Sequence, residues 1–141
     1  MNWIKPYFLP WKYPEHWLSN LREIYRWFRD FYKRGMRGWA ESDTWNLDSY
    51  LVSVILPALK VLKEEKLGYP NPNNLPEEEG ISWWTDKLDK MILGFEAAKR
   101  LCEDEYTWID FKEYKRKTKA DIKIFEMGMK EFTKYFFSLW D

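Results

Sequence analysis

Apolar residues recur along the chain every three or four positions, the period of a helix that buries one face. From Pro14 to Arg34 the stripe is Trp17, Leu21, Ile24, Phe28 and Phe31. A second stripe, Arg22, Arg26, Arg29 and Lys33, lies more than about 90° away at 100° per residue, with Tyr25 and Tyr32 between the two. From Ser42–Asp43 to about Lys66 the face is Leu47, Leu51, Val54, Ile55, Ala58, Leu59 and Leu62. From Ser82 to Cys102 it is Trp84, Leu88, Met91, Ile92, Phe95 and Ala98. From Thr118 to Leu139, Ile122, Phe125, Met129, Phe132, Phe136 and Leu139 form a heptad-like seam suited to left-handed bundle packing. No segment alternates with the period of a strand. The pattern predicts an all-α, single-domain bundle of about four helices over residues 1–141.

Breakers and caps divide these helices. Residues 1–13 hold Pro6, Pro10 and five aromatic rings, so an extended N-terminal arm is expected. The arm either plugs grooves between helices or reaches a partner subunit, which would make a homo-oligomer. Gly35 and Gly38 end the first helix, and Ser42 or Asp43 caps the second. Pro57 sits inside that second helix, predicting a kink and a freed carbonyl at Ser53. Residues 67–81 contain three Pro, two Gly and three Asn and read as an irregular connection. Residues 103–117 are charged and mixed, and read as a loop with some helical turns.

Composition narrows the picture. The chain has 141 residues, a one-domain length. Its 10 Trp, 9 Tyr and 9 Phe exclude the aromatic-poor class of disordered chains. With 23 basic and 23 acidic residues the net charge is zero, unlike a general DNA-coating protein. A single Cys, Cys102, excludes an internal disulfide and multi-cysteine zinc sites, and a single His, His16, excludes paired-histidine metal motifs. The most apolar run, Tyr50 to Leu59, is interrupted by Ser53 and Pro57, so no transmembrane helix is expected. The N-terminus lacks the apolar core and small-residue cleavage site of a signal peptide, which points to a cytoplasmic location.

No residue set names a reaction. His16 has no nucleophile motif beside it, and Cys102 near a helix end suits a small buried hydrophobe. Asp43, Asp48, Asp86, Asp89 and Glu96 could supply oxygens to a hard cation, but Lys87 and Lys90 interleave with the Asp86–Asp89 pair as on a solvated face. No glycine-rich phosphate loop is present. The expectation is therefore no catalytic residue, no metal and no cofactor. What remains is basic and aromatic. Residues 22–37 hold six basic side chains against two acidic, a local charge of +4, and residues 112–123 repeat that balance. Arginine binds phosphate bidentately and aromatic faces stack on bases, so such zones suit a nucleotide or a single-stranded nucleic acid. Two solvated helix faces paired to acidic neighbours would look the same in sequence.

One stretch adds a resemblance. Arg37, Gly38 and Trp39 form an Arg-Gly-aromatic turn, followed by Asp43, then Trp45-Asn46-Leu47-Asp48, then Ile55-Leu56-Pro57 ahead of a leucine-rich helix. With Gly68–Pro70, Trp84–Glu96 and Lys134–Asp141, these resemble a family of small proteins encoded by tailed bacteriophages and prophages, over about 100 residues in order. The resemblance implies a small phage protein acting in the cytoplasm of a bacterial host cell, and no mechanism. Arg37, Trp39 and Trp45 could converge with Asp48 at a helix N-terminus, making an anion and ring pocket, or could serve packing alone. Taken together, the expectation is a non-enzymatic binding protein with ligand-binding residues Arg29, Lys33, Arg37, Trp39, Trp45 and Asp48. It would act in counter-defence by sequestering a small nucleotide-like signal. The alternatives are a protein-interaction or inhibitor role against a host protein, a virion-assembly accessory role, or single-stranded nucleic-acid binding. Phe28, Phe31, Phe95, Phe125, Phe132 and Phe136 are expected in the core, leaving about ten Trp and Tyr rings for polar borders, as their amphipathic habit suggests.

Overall fold

Where the helices begin is set by charge and capping. Three glutamates, Glu77, Glu78 and Glu79, follow Pro76 and occupy the positive end of a helix dipole. Asp110 accepts a hydrogen bond from the Lys112 N–H and starts another helix in the manner of a side-chain cap. The computed structural model of the chain describes residues 17–70, 74–103, 106 and 109–140, with side chains from Leu21 onward. It contains α1 (Trp17–Arg37), α2 (Leu47–Glu65), α3 (Glu77–Cys102) and α4 (Phe111–Lys134), with short 3-10 turns at Glu41–Thr44 and Phe136–Ser138. The expected all-α architecture of four helices holds, and no strand occurs among the described residues. The N-terminal arm and His16 lie outside the described residues.

Several boundaries differ from the periodic reading: α1 runs through Gly35 to Arg37, α4 ends at Lys134 rather than Leu139, and three starts move. The second helix begins at Leu47, because Ser42 and Asp43 belong to the 3-10 turn that precedes it. The third begins five residues before Ser82, because the acidic triplet extends it into the presumed connection. The fourth begins at Phe111, so 111–117 belong to it, started by Asp110.

By its contacts the chain divides into two compact units, residues 1–47 and 48–141. The second unit is built around α3. Trp84, Leu88 and Met91 of that helix are fully buried, and Val52, Leu56 and Leu59 of α2 pack against them. From α4 come Phe125, Met129 and Phe132, with Tyr135 and Leu139 just beyond it, all partly buried. Phe95 meets Phe132 at 5.2 Å and Phe125 at 6.2 Å, both edge to face. Tyr135 stands edge-on to both Trp83 and Trp84, an arrangement that adds to simple area burial. The backbones of α3 and α4 touch: a Cβ on Gly94 would lie 2.7 Å from the Gly128 Cα, and one on Gly128 2.6 Å from the Gly94 Cα. Only a glycine pair allows that approach.

A polar clamp joins the same two helices. Arg100 of α3 donates from Nε and Nη2 to the Asp121 carboxylate of α4 at 3.1 and 2.7 Å, and the Tyr106 hydroxyl donates to Asp121 at 2.6 Å. Asp121 is 4% exposed, and a carboxylate so buried needs partners of this kind. Arg100 chiefly, with Tyr106, holds its pKa below the ordinary range against the opposing effect of burial.

In the first unit, α1 keeps its predicted stripes but not the predicted burial. Leu21, Phe28 and Phe31 are exposed and Ile24 is only partly buried; Phe136 in the second unit is also exposed. These phenylalanines are not core, since the amphipathic period marks which side of a helix is apolar without supplying anything to cover it.

Candidate functional site

The corner after α1 gathers most of the residues expected to bind a ligand. Arg34 and Arg37 complement the negative end of the α1 dipole. Gly38 then takes φ +83, a left-handed conformation, while its N–H closes back on the Arg34 carbonyl at 2.9 Å. The chain turns and enters the 3-10 segment Glu41–Thr44, which brings Glu41 and Asp43 beside the last turns of α1.

Every predicted cation of this corner has an internal partner. Arg29 donates from Nε and Nη2 to Asp30 at 3.0 and 2.9 Å. Lys33 reaches Glu41 at 2.6 Å, and Arg37 reaches the other oxygen of Glu41 at 2.7 Å. Arg34 forms a two-pronged pair with Asp43, whose carboxylate also accepts from the Ala40 N–H at 2.8 Å. Asp43 therefore ties α1 to the turn and is not the cap of α2. The carboxylates respond as their neighbours dictate. Lys33, then Arg37, lower Glu41 to about 2. Ser42, then Arg29, hold Asp30 below the ordinary range, and Arg34 does the same for Asp43. This is a charge-balanced turn, with Glu41 and Asp43 answering Lys33, Arg34 and Arg37.

The two signature tryptophans are outside the core. Trp39 is exposed, with the Arg37 guanidinium 3.9 Å over its ring and Arg37 Nε donating to its carbonyl at 3.0 Å. Trp45 is 90% exposed. Arg29, Lys33, Arg37 and Trp39 thus share one corner, while Asp48 belongs to the second unit, where its carboxylate lies 3.8 Å from the Cys102 thiol. Burial, the main cause, raises the pKa of that thiol, so Cys102 stays protonated and is a poor nucleophile.

A groove of about 360 Å³ lies in the second unit beside Pro57, floored by Val52 and Leu56 and rimmed by Ser49, Ser53 and Cys102. Its two lysines are answered already: Lys60 by Glu96 at 2.6 Å and Lys99 by Glu103 at 3.9 Å. The carboxylates considered for a cation face lysines as well, Asp86 with Lys90 and Asp89 with Lys63, each at 2.6 Å. Among the described residues no three metal-capable side chains cluster, and no helix is long and apolar enough to cross a membrane.

The larger surface feature is α1 itself. Leu21, Tyr25, Trp27, Phe28, Phe31, Tyr32 and Met36 are all exposed and, with the half-buried Ile24, occupy one side of the helix. Trp27 stacks on Phe31 at 5.7 Å and meets Phe28 edge-on at 5.0 Å, so these three rings form one cluster at the middle of the face. Trp27 was in no predicted stripe; it lies one turn before Phe31, and that spacing was the available signal. No protein-family model, curated protein or solved structure matches the chain.

Proposed function

We propose that this protein is a non-catalytic interaction protein whose α1 presents its aromatic face to a groove on a partner protein. One observation carries the reading: seven large apolar side chains on one side of α1 are exposed, and three of them, Trp27, Phe28 and Phe31, are joined by ring contacts. Contiguous apolar surface of that kind marks interaction sites. Its composition, rich in Trp and Tyr with arginines alongside, is that of interface hot spots. A helix offering anchors three and four residues apart is the helix-in-groove mode. The resemblance to tailed-phage proteins supplies the setting: the partner would be a host protein met in an infected bacterial cell.

Sequestration of a nucleotide-like signal at Arg29, Lys33, Arg37, Trp39, Trp45 and Asp48 is the less supported reading. A ligand phosphate would have to displace Glu41 from both Lys33 and Arg37. It would also have to work at an exposed corner, where charge pairs are weak and screened.

The test compares the wild type with Phe28→Glu/Phe31→Glu. A protein recovered from bacterial lysate is purified, and binding is reconstituted with the two components alone. The expected result is binding at micromolar concentration that the double variant loses while its far-UV circular dichroism is retained. Equal binding by both proteins overturns the proposal. So does self-association of the wild type that the variant abolishes, since the face would then belong to a second copy.

A further inference from the structure

The outward face of α4 carries a row of cations, most of which have no carboxylate partner among the described residues; Lys134, at its end, lies 5.0 Å over the Tyr135 ring. Because α4 begins at Phe111, residues 112–134 form one continuous helix. At 100° per residue Lys112, Arg116, Lys119, Lys123, Lys130 and Lys134 fall on a single arc, opposite Asp121, Gly128 and Phe132, which face the interior. All six are exposed. Among the described residues Arg116 alone of them has an ion pair, reaching Glu113 at 3.8 Å. Glu126 is the one carboxylate on the arc. The corner after α1 behaves in the opposite way, its cations being matched by Asp30, Glu41 and Asp43.

We infer that this face of α4 binds the sugar-phosphate backbone of nucleic acid, without reading sequence. From Lys112 to Lys134 the row spans about 33 Å at a rise of about 1.5 Å per residue. A linear polyanion rewards such a row, because each phosphate neutralised releases condensed counterions. A bilayer surface is a poorer match, since a helix lying on lipid inserts an apolar face opposite its charges and α4 commits that side to α3. No aromatic ring lies on the arc, so base stacking is not available, and five of its six cations are lysines, which meet phosphate as point charges. Single and double strands are therefore both bound through their phosphates.

Fluorescence anisotropy with labelled oligonucleotides of about 24 nucleotides, single-stranded and duplex, tests the inference. The expected result is binding to both at low salt, falling log-linearly as salt rises. Lys119→Glu/Lys123→Glu should weaken binding about tenfold or more and reduce the magnitude of the salt slope by about two. Lys119→Gln/Lys123→Gln provides the same test with less perturbation, and circular dichroism checks that each variant keeps its helix content. Absence of binding at low salt overturns the inference, as does binding that neither variant changes. Equal affinity for polyglutamate or for phosphatidylserine vesicles also overturns it, because the phosphate backbone would then not be what the row recognises.

Discussion

Helices α1 and α3 are both rich in aromatic rings at helical spacing, yet one spends its rings on the core and the other displays them. Trp84 of α3 is 1% exposed; Phe31 of α1 is 65% exposed. The difference lies in the neighbours. α3 has the Val52–Leu59 face of α2 on one flank and the Phe125–Phe132 seam of α4 on another, and it touches α4 at Gly94 and Gly128. The contacts that α1 makes through its polar side are ionic, to Asp43 and Glu41. An apolar stripe is thus a demand for a partner surface, met inside the chain by α3 and left open by α1.

The largest expected effect attacks that contrast directly. Trp84→Ala should destabilise the second unit by about 3–5 kcal/mol, from lost burial and the cavity left behind. Trp27→Ala should stay within about 0.5 kcal/mol, as for an exposed position away from caps and buried networks. Urea denaturation followed by circular dichroism measures both. A Trp27 variant as destabilised as the Trp84 variant would mean that α1's face is covered within the folded chain, and the comparison would collapse.

Sequence made the four helices legible because periodicity survives whatever packs against it. It located the core rings of α3 and the seam of α4 at Phe125, Met129 and Phe132. Of the three misplaced starts, two had a readable local signal: Asp110 with Glu113 three residues on, and the Glu77–Glu79 triplet. At the candidate site, sequence assembled the right corner but not its chemistry. The Arg29–Arg37 stripe looked available because Glu41 and Asp43 lie eight and nine residues from their partners Lys33 and Arg34, across a turn that only Gly38 makes possible. The basic row of α4 was half visible. Residues 112–123 stood out as one basic zone, but reading 103–117 as a loop with some helical turns did not put Lys112 and Arg116 on one helix face with Lys119 and Lys123.

A second contrast sets the buried clamp of the second unit against the exposed pairs of the first. Asp121→Asn removes a buried charge that accepts from Arg100 and Tyr106, and should cost about 1.5–3 kcal/mol, the range for hydrogen bonds to charged groups. The pH dependence has a definite sign. Because the folded pKa of Asp121 lies below its ordinary value of 3.8, its contribution is complete above that value. It is lost as pH falls toward the depressed folded pKa. Stability of the wild type should therefore fall more steeply than that of Asp121→Asn as pH drops below about 4. Parallel acid limbs in the two proteins would show that the clamp adds no stability through charge.

The smallest effect concerns Glu41, and it bears on what the α1 corner can bind. Held by Lys33 and Arg37, its carboxyl titrates at about 2 against an ordinary 4.5. The pairs are exposed, so little folding stability should follow from them. What changes is the occupancy of the cations. Between about pH 2 and pH 4.5 the folded chain holds Glu41 ionised where an unfolded one would protonate it. NMR titration of the Glu41 carboxyl carbon should show that low midpoint, and Lys33→Ala should move it up toward the ordinary value while leaving urea stability nearly unchanged. If Glu41 instead titrates normally in the wild type, Lys33 and Arg37 are not held by it. The corner would then be free to take an anion, and the contrast between a satisfied basic turn and an unsatisfied basic row on α4 would fail at its first term.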